Sequence, residues 1–106
     1  MINQGIKWAV KQVTDMAERA GKDIETETLV KYKRDGNEIT FGYLDAYFTG
    51  HLFDLKTGME RDYAPQMLVY AAALCQRDGL DQINAYLLYS ESHVVSHMEV
   101  TREVAE

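Results

Sequence analysis

Asp45 stands in a run that is otherwise apolar or aromatic, Gly42-Tyr43-Leu44-Asp45-Ala46-Tyr47-Phe48. Taking an unpaired carboxylate out of water costs several kcal/mol, so such a residue must be paired, metal-bound or at an opening. Nine residues on, Asp54-Leu55-Lys56 falls in a second strand-like run. Strand alternation puts Asp54 and Lys56 on one face and Leu55 on the other. Gln66 and Tyr70 are four apart, hence on one side of a helix. Two carboxylates converging from neighbouring strands make a hard, oxygen-rich site of the kind that suits Mg²⁺ or Mn²⁺. A metal there acidifies water and stabilises charge on a phosphate, and an adjacent lysine can orient the attacking water. That is phosphodiester hydrolysis chemistry. From spacing alone, however, a salt bridge between Asp54 and Lys56 is the simpler reading.

These residues need a scaffold, and the chain spells one out. Residues 3–20 predict a helix, with Ile6, Ala9, Val10, Val13, Met16, Ala17 and Ala20 as its apolar stripe and Gly21 as its stop. Residues 25–34 predict an edge strand, because their charges are awkward in a sheet centre. Asp35-Gly36-Asn37 is a turn signal. Residues 38–48 predict a central strand covered on both sides, with Ile39, Phe41, Tyr43, Asp45 and Tyr47 on one face and Thr40, Gly42, Leu44, Ala46 and Phe48 on the other. Thr49-Gly50 turns the chain into a short strand over 51–57, closed by Gly58. A second helix covers 64–78, with Pro65 in its first turn, Met67, Tyr70, Ala71 and Leu74 as its stripe, and Gly79 at its end. Residues 82–89 predict a fourth strand, and a fifth runs through Val94, Val95 and Met98. The order α-β-β-β-α-β(-β) implies one mixed sheet flanked by helices, an α/β (α+β) fold.

With 106 residues, the chain suits a single domain over 1–106. Hydrophobic residues at 46% and charged residues at 26% exclude disorder. No apolar run reaches the roughly 18–20 residues of a membrane span, and residues 1–7 hold no signal-peptide core. The expectation is a cytoplasmic protein with no membrane partner. The lone Cys75 can build neither an internal disulfide nor an iron–sulfur cluster, and reads as a small buried hydrophobe. Net charge is −6, which gives no large basic footprint for nucleic acid. The charge is uneven: residues 1–44 carry seven basic and seven acidic residues, residues 45–106 four and ten. Lys31, Lys33 and Arg34 form a local basic cluster where a phosphate backbone could be met.

Taken in order, Gly42-x-x-Asp45, then Asp54-Leu55-Lys56-Thr57, then Gln66-x-x-x-Tyr70 resemble the RecB-like branch of the PD-(D/E)XK nuclease superfamily. Any one of these motifs is weak; the three together, over about Gly42 to Tyr70, are fairly specific. The resemblance implies that Asp45, Asp54 and the Leu55 carbonyl hold Mg²⁺ or Mn²⁺. It implies that Lys56 is the catalytic lysine and that Gln66 and Tyr70 support the site and contact DNA. Thr57 completes the pattern as a structural or phosphate-facing hydroxyl. The expected activity is divalent-metal-dependent hydrolysis of DNA, with exonuclease favoured over endonuclease. Two departures stand out. The first helix lacks the histidine that such enzymes often carry, with Glu18 as a carboxylate that could take its place. His51 falls on the face opposite Asp54 and reads as a strand-end residue. The alternative is a nuclease-fold module, weak or inactive, that binds nucleic acid or a partner protein. The small size makes a homo-oligomer or a partner protein natural companions.

Overall fold

The structure is a computed structural model. It describes residues 4–57 and 63–105, with the side chains of residues 28–30, 32, 34, 39–41, 43, 104 and 105 outside that description. The elements are α1 (Gln4–Ala20), β1 (Glu25–Arg34), β2 (Asn37–Phe48), β3 (His51–Lys56), α2 (Ala64–Asp78), β4 (Gln82–Tyr89), β5 (Val94–Thr101) and α3 (Arg102–Ala105). This is the mixed α+β order expected, with the fifth strand present and a one-turn helix added at the end. The expected close of β3 at Gly58 lies outside the described residues.

The five strands stand in the order β1-β2-β3-β4-β5. β3 and β4 are parallel, and the other pairs are antiparallel. Parallel neighbours need a crossover, and α2 supplies it. Alternation along the strands then builds two cores. Leu52, Ile83, Ala85, Leu87 and Tyr89 join Met67, Tyr70, Ala71 and Leu74 of α2. Ala46, Phe48, Phe53 and Leu88 meet Ala9, Val13 and Ala17 of α1. The sheet is therefore covered by a helix on each face. Cys75 is buried in the α2 core, as its apolar neighbours implied. No helix among the described residues is long and apolar enough to cross a membrane.

Two expectations need correction. The α1 stripe is narrower than its apolar residues suggested: Ile6 and Val10 are 40% and 59% exposed, and Ala20 is also exposed. Small residues at Gly5, Ala9, Val13 and Ala17 form the buried line, and Trp8 turns aside to stack on His93 at 4.9 Å. The small line lets the helix sit close to the sheet, which leaves the larger aliphatics outside. The contact is tightest at Gly5, where an added Cβ would lie 2.2 Å from the Ser90 carbonyl oxygen. Gly5→Ala is thus expected to destabilise the fold by about 1–3 kcal/mol, because the overlap outweighs the roughly 0.5–1 kcal/mol that alanine gains in a helix. A urea midpoint equal to or above wild type would contradict this.

The second correction concerns β2. Its alternation does not run unbroken from 39 to 48. The β1–β2 pairing shifts between Val30 and Lys31, opposite Gly42 and Thr40, so β2 carries an extra residue there. Gly42 takes φ +125°, open to glycine and strained for other residues. A second irregularity falls at Glu27, φ 52°, between the pairs Thr26↔Ala46 and Thr28↔Leu44. Asp45 has no partner in that pairing. Across this kink Leu44 joins Tyr47 in the α2 core, whereas it was expected with Ala46 and Phe48. The expected facing of Ile39, Phe41 and Tyr43 falls on side chains outside the described residues. The bent β1–β2 ribbon curls over the C-terminal half of α2. Glu25, near one end, bonds Arg77, and Lys33, near the other, exchanges two 2.7 Å backbone bonds with the Gln76 amide.

Candidate active site

Asp45, Asp54, Lys56, Gln66 and Tyr70 come together where β2 and β3 part at the N-terminal end of α2. The β2–β3 pairing begins at Phe48↔His51 and ends at Ala46↔Phe53. Asp45 is the next residue of β2 and lies outside both of its pairings. Its backbone is released from the ladder and its side chain takes over. Asp45 Oδ2 accepts the Leu55 N–H at 2.7 Å. Asp45 is exposed, so it sits at the opening that a carboxylate in an apolar strand required.

One residue's N–H and C=O point to the same edge of an extended strand. The Leu55 N–H faces Asp45, so the Leu55 carbonyl is directed to the same edge. Lys56 faces the other way, and its carbonyl accepts the Ser90 N–H at 3.0 Å.

Asp54 is 8% exposed and lies on the α2 side of the sheet with Leu52. Its buried Oδ2 is 2.8 Å from the Lys56 Nζ in an ion pair. Burial raises the Asp54 pKa above the ordinary carboxylate value; the neighbouring Asp45 carboxylate raises it further, and Lys56 opposes both.

The Lys56 ammonium is held from three sides. Besides Asp54, it donates to Gln66 Oε1 at 2.9 Å and lies 4.2 Å from the centre of the Tyr63 ring. Gln66 Nε2 reaches toward the Tyr70 hydroxyl at 3.5 Å. The Tyr70 hydroxyl comes within 3.8 Å of where a Cβ on Gly42 would stand. Pro65 starts the helix that presents Gln66 and Tyr70, as expected, and the Met67 N–H closes its first turn on the Tyr63 carbonyl at 3.0 Å. Tyr63 was not singled out in the sequence; a tyrosine just before a helix carries no signal until the lysine that meets its ring is located.

Two carboxylates at a strand fork, one of them buried, are a donor set that fits a hard divalent cation. Asp45, Asp54 and the Leu55 carbonyl could hold it, with waters completing the shell. Among the described residues no three or more His, Cys, Asp or Glu side chains gather to bind a metal. Glu18, exposed on α1, is therefore not brought in as the substitute ligand. His51 stays on the other face of the sheet, 4.7 Å from Phe48 and 6.0 Å from Tyr86 between ring centres. Of the basic cluster, Lys31 faces Glu38 at 4.0 Å, Lys33 is exposed, and the Arg34 side chain lies outside the described residues.

Comparisons add the fold and little more. SSO0001 superposes with a TM-score of 0.50 at 13% identity, covering 88% of this chain and 48% of that one. A Eubacterium rectale protein named "putative exonuclease" superposes with a TM-score of 0.53 at 14% identity, covering 92% of this chain and 46% of that one. The chain spans about half the length of each. No family model matches the sequence, and no curated protein matches it.

Proposed function

We propose that this chain is a nuclease domain of the PD-(D/E)XK type, RecB-like, that hydrolyses DNA phosphodiester bonds with Mg²⁺ or Mn²⁺. The observation that carries the reading is the fork at Asp45 and Asp54. Two carboxylates share a single lysine there: Lys56 lies 2.8 Å from Asp54 Oδ2, while burial and the neighbouring Asp45 raise the Asp54 pKa, so one ammonium leaves the pair of acids short of positive charge. The order of the motifs and the shared fold with a protein named as an exonuclease support the same reading. Bound by Asp45, Asp54 and the Leu55 carbonyl, the metal would supply positive charge for the phosphate and acidify water.

The chain's own residues do the rest. Lys56, held by Gln66 and Tyr63, presents an ammonium that orients water and meets developing negative charge. Gln66, steadied by the Tyr70 hydroxyl, fixes that ammonium beside the DNA strand. The Leu55 N–H keeps Asp45 turned to the fork. Lys31 and Lys33 offer phosphate contacts beside α2, and the exonuclease mode is the favoured one.

The test is cleavage of labelled linear and covalently closed circular DNA with Mg²⁺ and with Mn²⁺. Loss of linear DNA with circular DNA spared is the expected result. Circular cleavage would replace the exonuclease mode by an endonuclease one. No cleavage of either substrate with either metal would leave the alternative, a nuclease-fold module that binds nucleic acid or a partner protein.

A further inference from the structure

The two edges of the sheet are built differently. β1 carries Glu25, Glu27, Lys31, Lys33 and Arg34, and its pairing is interrupted by a register shift and by the left-handed Glu27. Charges and irregularities of this kind keep an edge from pairing with another strand. β5 has neither device. It pairs with β4 without a shift from Gln82↔Thr101 to Tyr89↔Val94. Its only formal charge is Glu99, it has no lysine or proline, and Val94 and Val95 are 38% and 36% exposed.

Which backbone groups β5 leaves for a partner can be read from one bond. The Arg102 N–H donates to the Asp81 carbonyl at 2.7 Å, so residue 102 faces β4. Facing alternates along an antiparallel pair. Val94, Ser96, Met98 and Val100 therefore direct their N–H and C=O groups to β4. Val95, His97 and Glu99 direct theirs to the open edge, where no further strand lies among the described residues.

We propose that β5 is a homodimer interface, on which the β5 of a second copy pairs antiparallel to make a continuous ten-stranded sheet. A second copy can approach along β5 although the chain carries −6, because Glu99 is the strand's only formal charge and like-charge repulsion is weakest there. The strand is also self-complementary. A two-fold centred on Ser96 sets Val94 opposite the second copy's Met98, on the side where Met98 already leans on the α2 core. It also sets Val95 opposite the second copy's His97, both with outward backbone groups. In such a pair both α2 helices lie on one side of the sheet. The two β3 strands are then five strand spacings apart, roughly 24 Å at about 4.8 Å each. The inference rests on the edge alone and stands whether or not the nuclease reading does.

Light scattering on the purified chain tests it. The expected mass is twice the 12.1 kDa of one chain. Proline at Val95 or His97 removes an outward N–H and no bond to β4, so Val95→Pro and His97→Pro are each expected to halve the mass while the circular dichroism stays that of wild type. Val95→Lys keeps the backbone intact and is expected to do the same by charge. A monomeric wild type overturns the proposal. So does a dimer that survives all three substitutions.

Discussion

Lys56→Ala is expected to lower metal-dependent DNA cleavage by about 10²–10³-fold, the usual cost of removing one preorganised group that meets developing negative charge. The loss should fall on kcat, because the ammonium acts on charge that grows only as the bond breaks, while the other DNA contacts stay in place. The geometry adds a sharper expectation. The ammonium is held between Asp54 Oδ2 at 2.8 Å, Gln66 Oε1 at 2.9 Å and the Tyr63 ring. That space suits a compact ammonium and not the planar fork of arginine, so Lys56→Arg should rescue little of the rate. Single-turnover cleavage of labelled linear DNA measures both variants. If Lys56→Ala stays within about threefold of wild type, the lysine is a structural counter-ion and the assigned role is wrong.

The second large effect is thermodynamic and needs no DNA. Wild type should be stabilised by Mg²⁺ or Mn²⁺ by about 2.7 kcal/mol at a metal concentration 100 times its Kd, and Asp54→Asn should gain nothing. The pH dependence follows from the raised Asp54 pKa. A carboxyl whose folded pKa exceeds its unfolded value contributes stability in full below the unfolded value, about pH 4. That contribution is lost as pH rises through the folded pKa. Relative to Asp54→Asn, which does not ionise there, metal-free wild type should therefore lose stability across this window. Metal competes with the proton for the same oxygens, so its stabilising effect should grow over the same pH range. Thermal melts with and without metal from pH 4 to neutrality measure this. A wild type whose melting is indifferent to both metals at every pH would reduce the fork to an Asp54–Lys56 ion pair beside Asp45.

Much of the fold was legible because its signals are local. Pro65 and Gly79 bracket α2, which runs from Ala64 to Asp78 as expected. Met67, Tyr70, Ala71 and Leu74 face the core as their spacing required. The charges of β1 marked it as an edge, and it is one. The alternation of Leu52 and Phe53 divides them between the α2 and α1 cores. These are properties of 3.6-residue and two-residue periods, written in neighbouring residues.

The site was legible in part. The sequence by itself determined which acids, which lysine and which helix pair could meet, because a strand–turn–strand–helix order brings 45, 54–56, 66 and 70 to one end of the sheet. Only the tertiary structure decided how they meet. Asp45 leaves both strand pairings and spends its carboxylate on the Leu55 N–H, an outcome of the kink at Glu27 and the extra residue beside Gly42. Tyr63 becomes a wall for the lysine only once α2 has docked. The face of α1 was decided in the same way. Composition offered Ile6 and Val10, and close packing chose the smaller line of Gly5, Ala9, Val13 and Ala17. Periodicity limits which residues can share a face, but how closely two surfaces approach depends on side chains far apart in the chain, and no local window contains both partners.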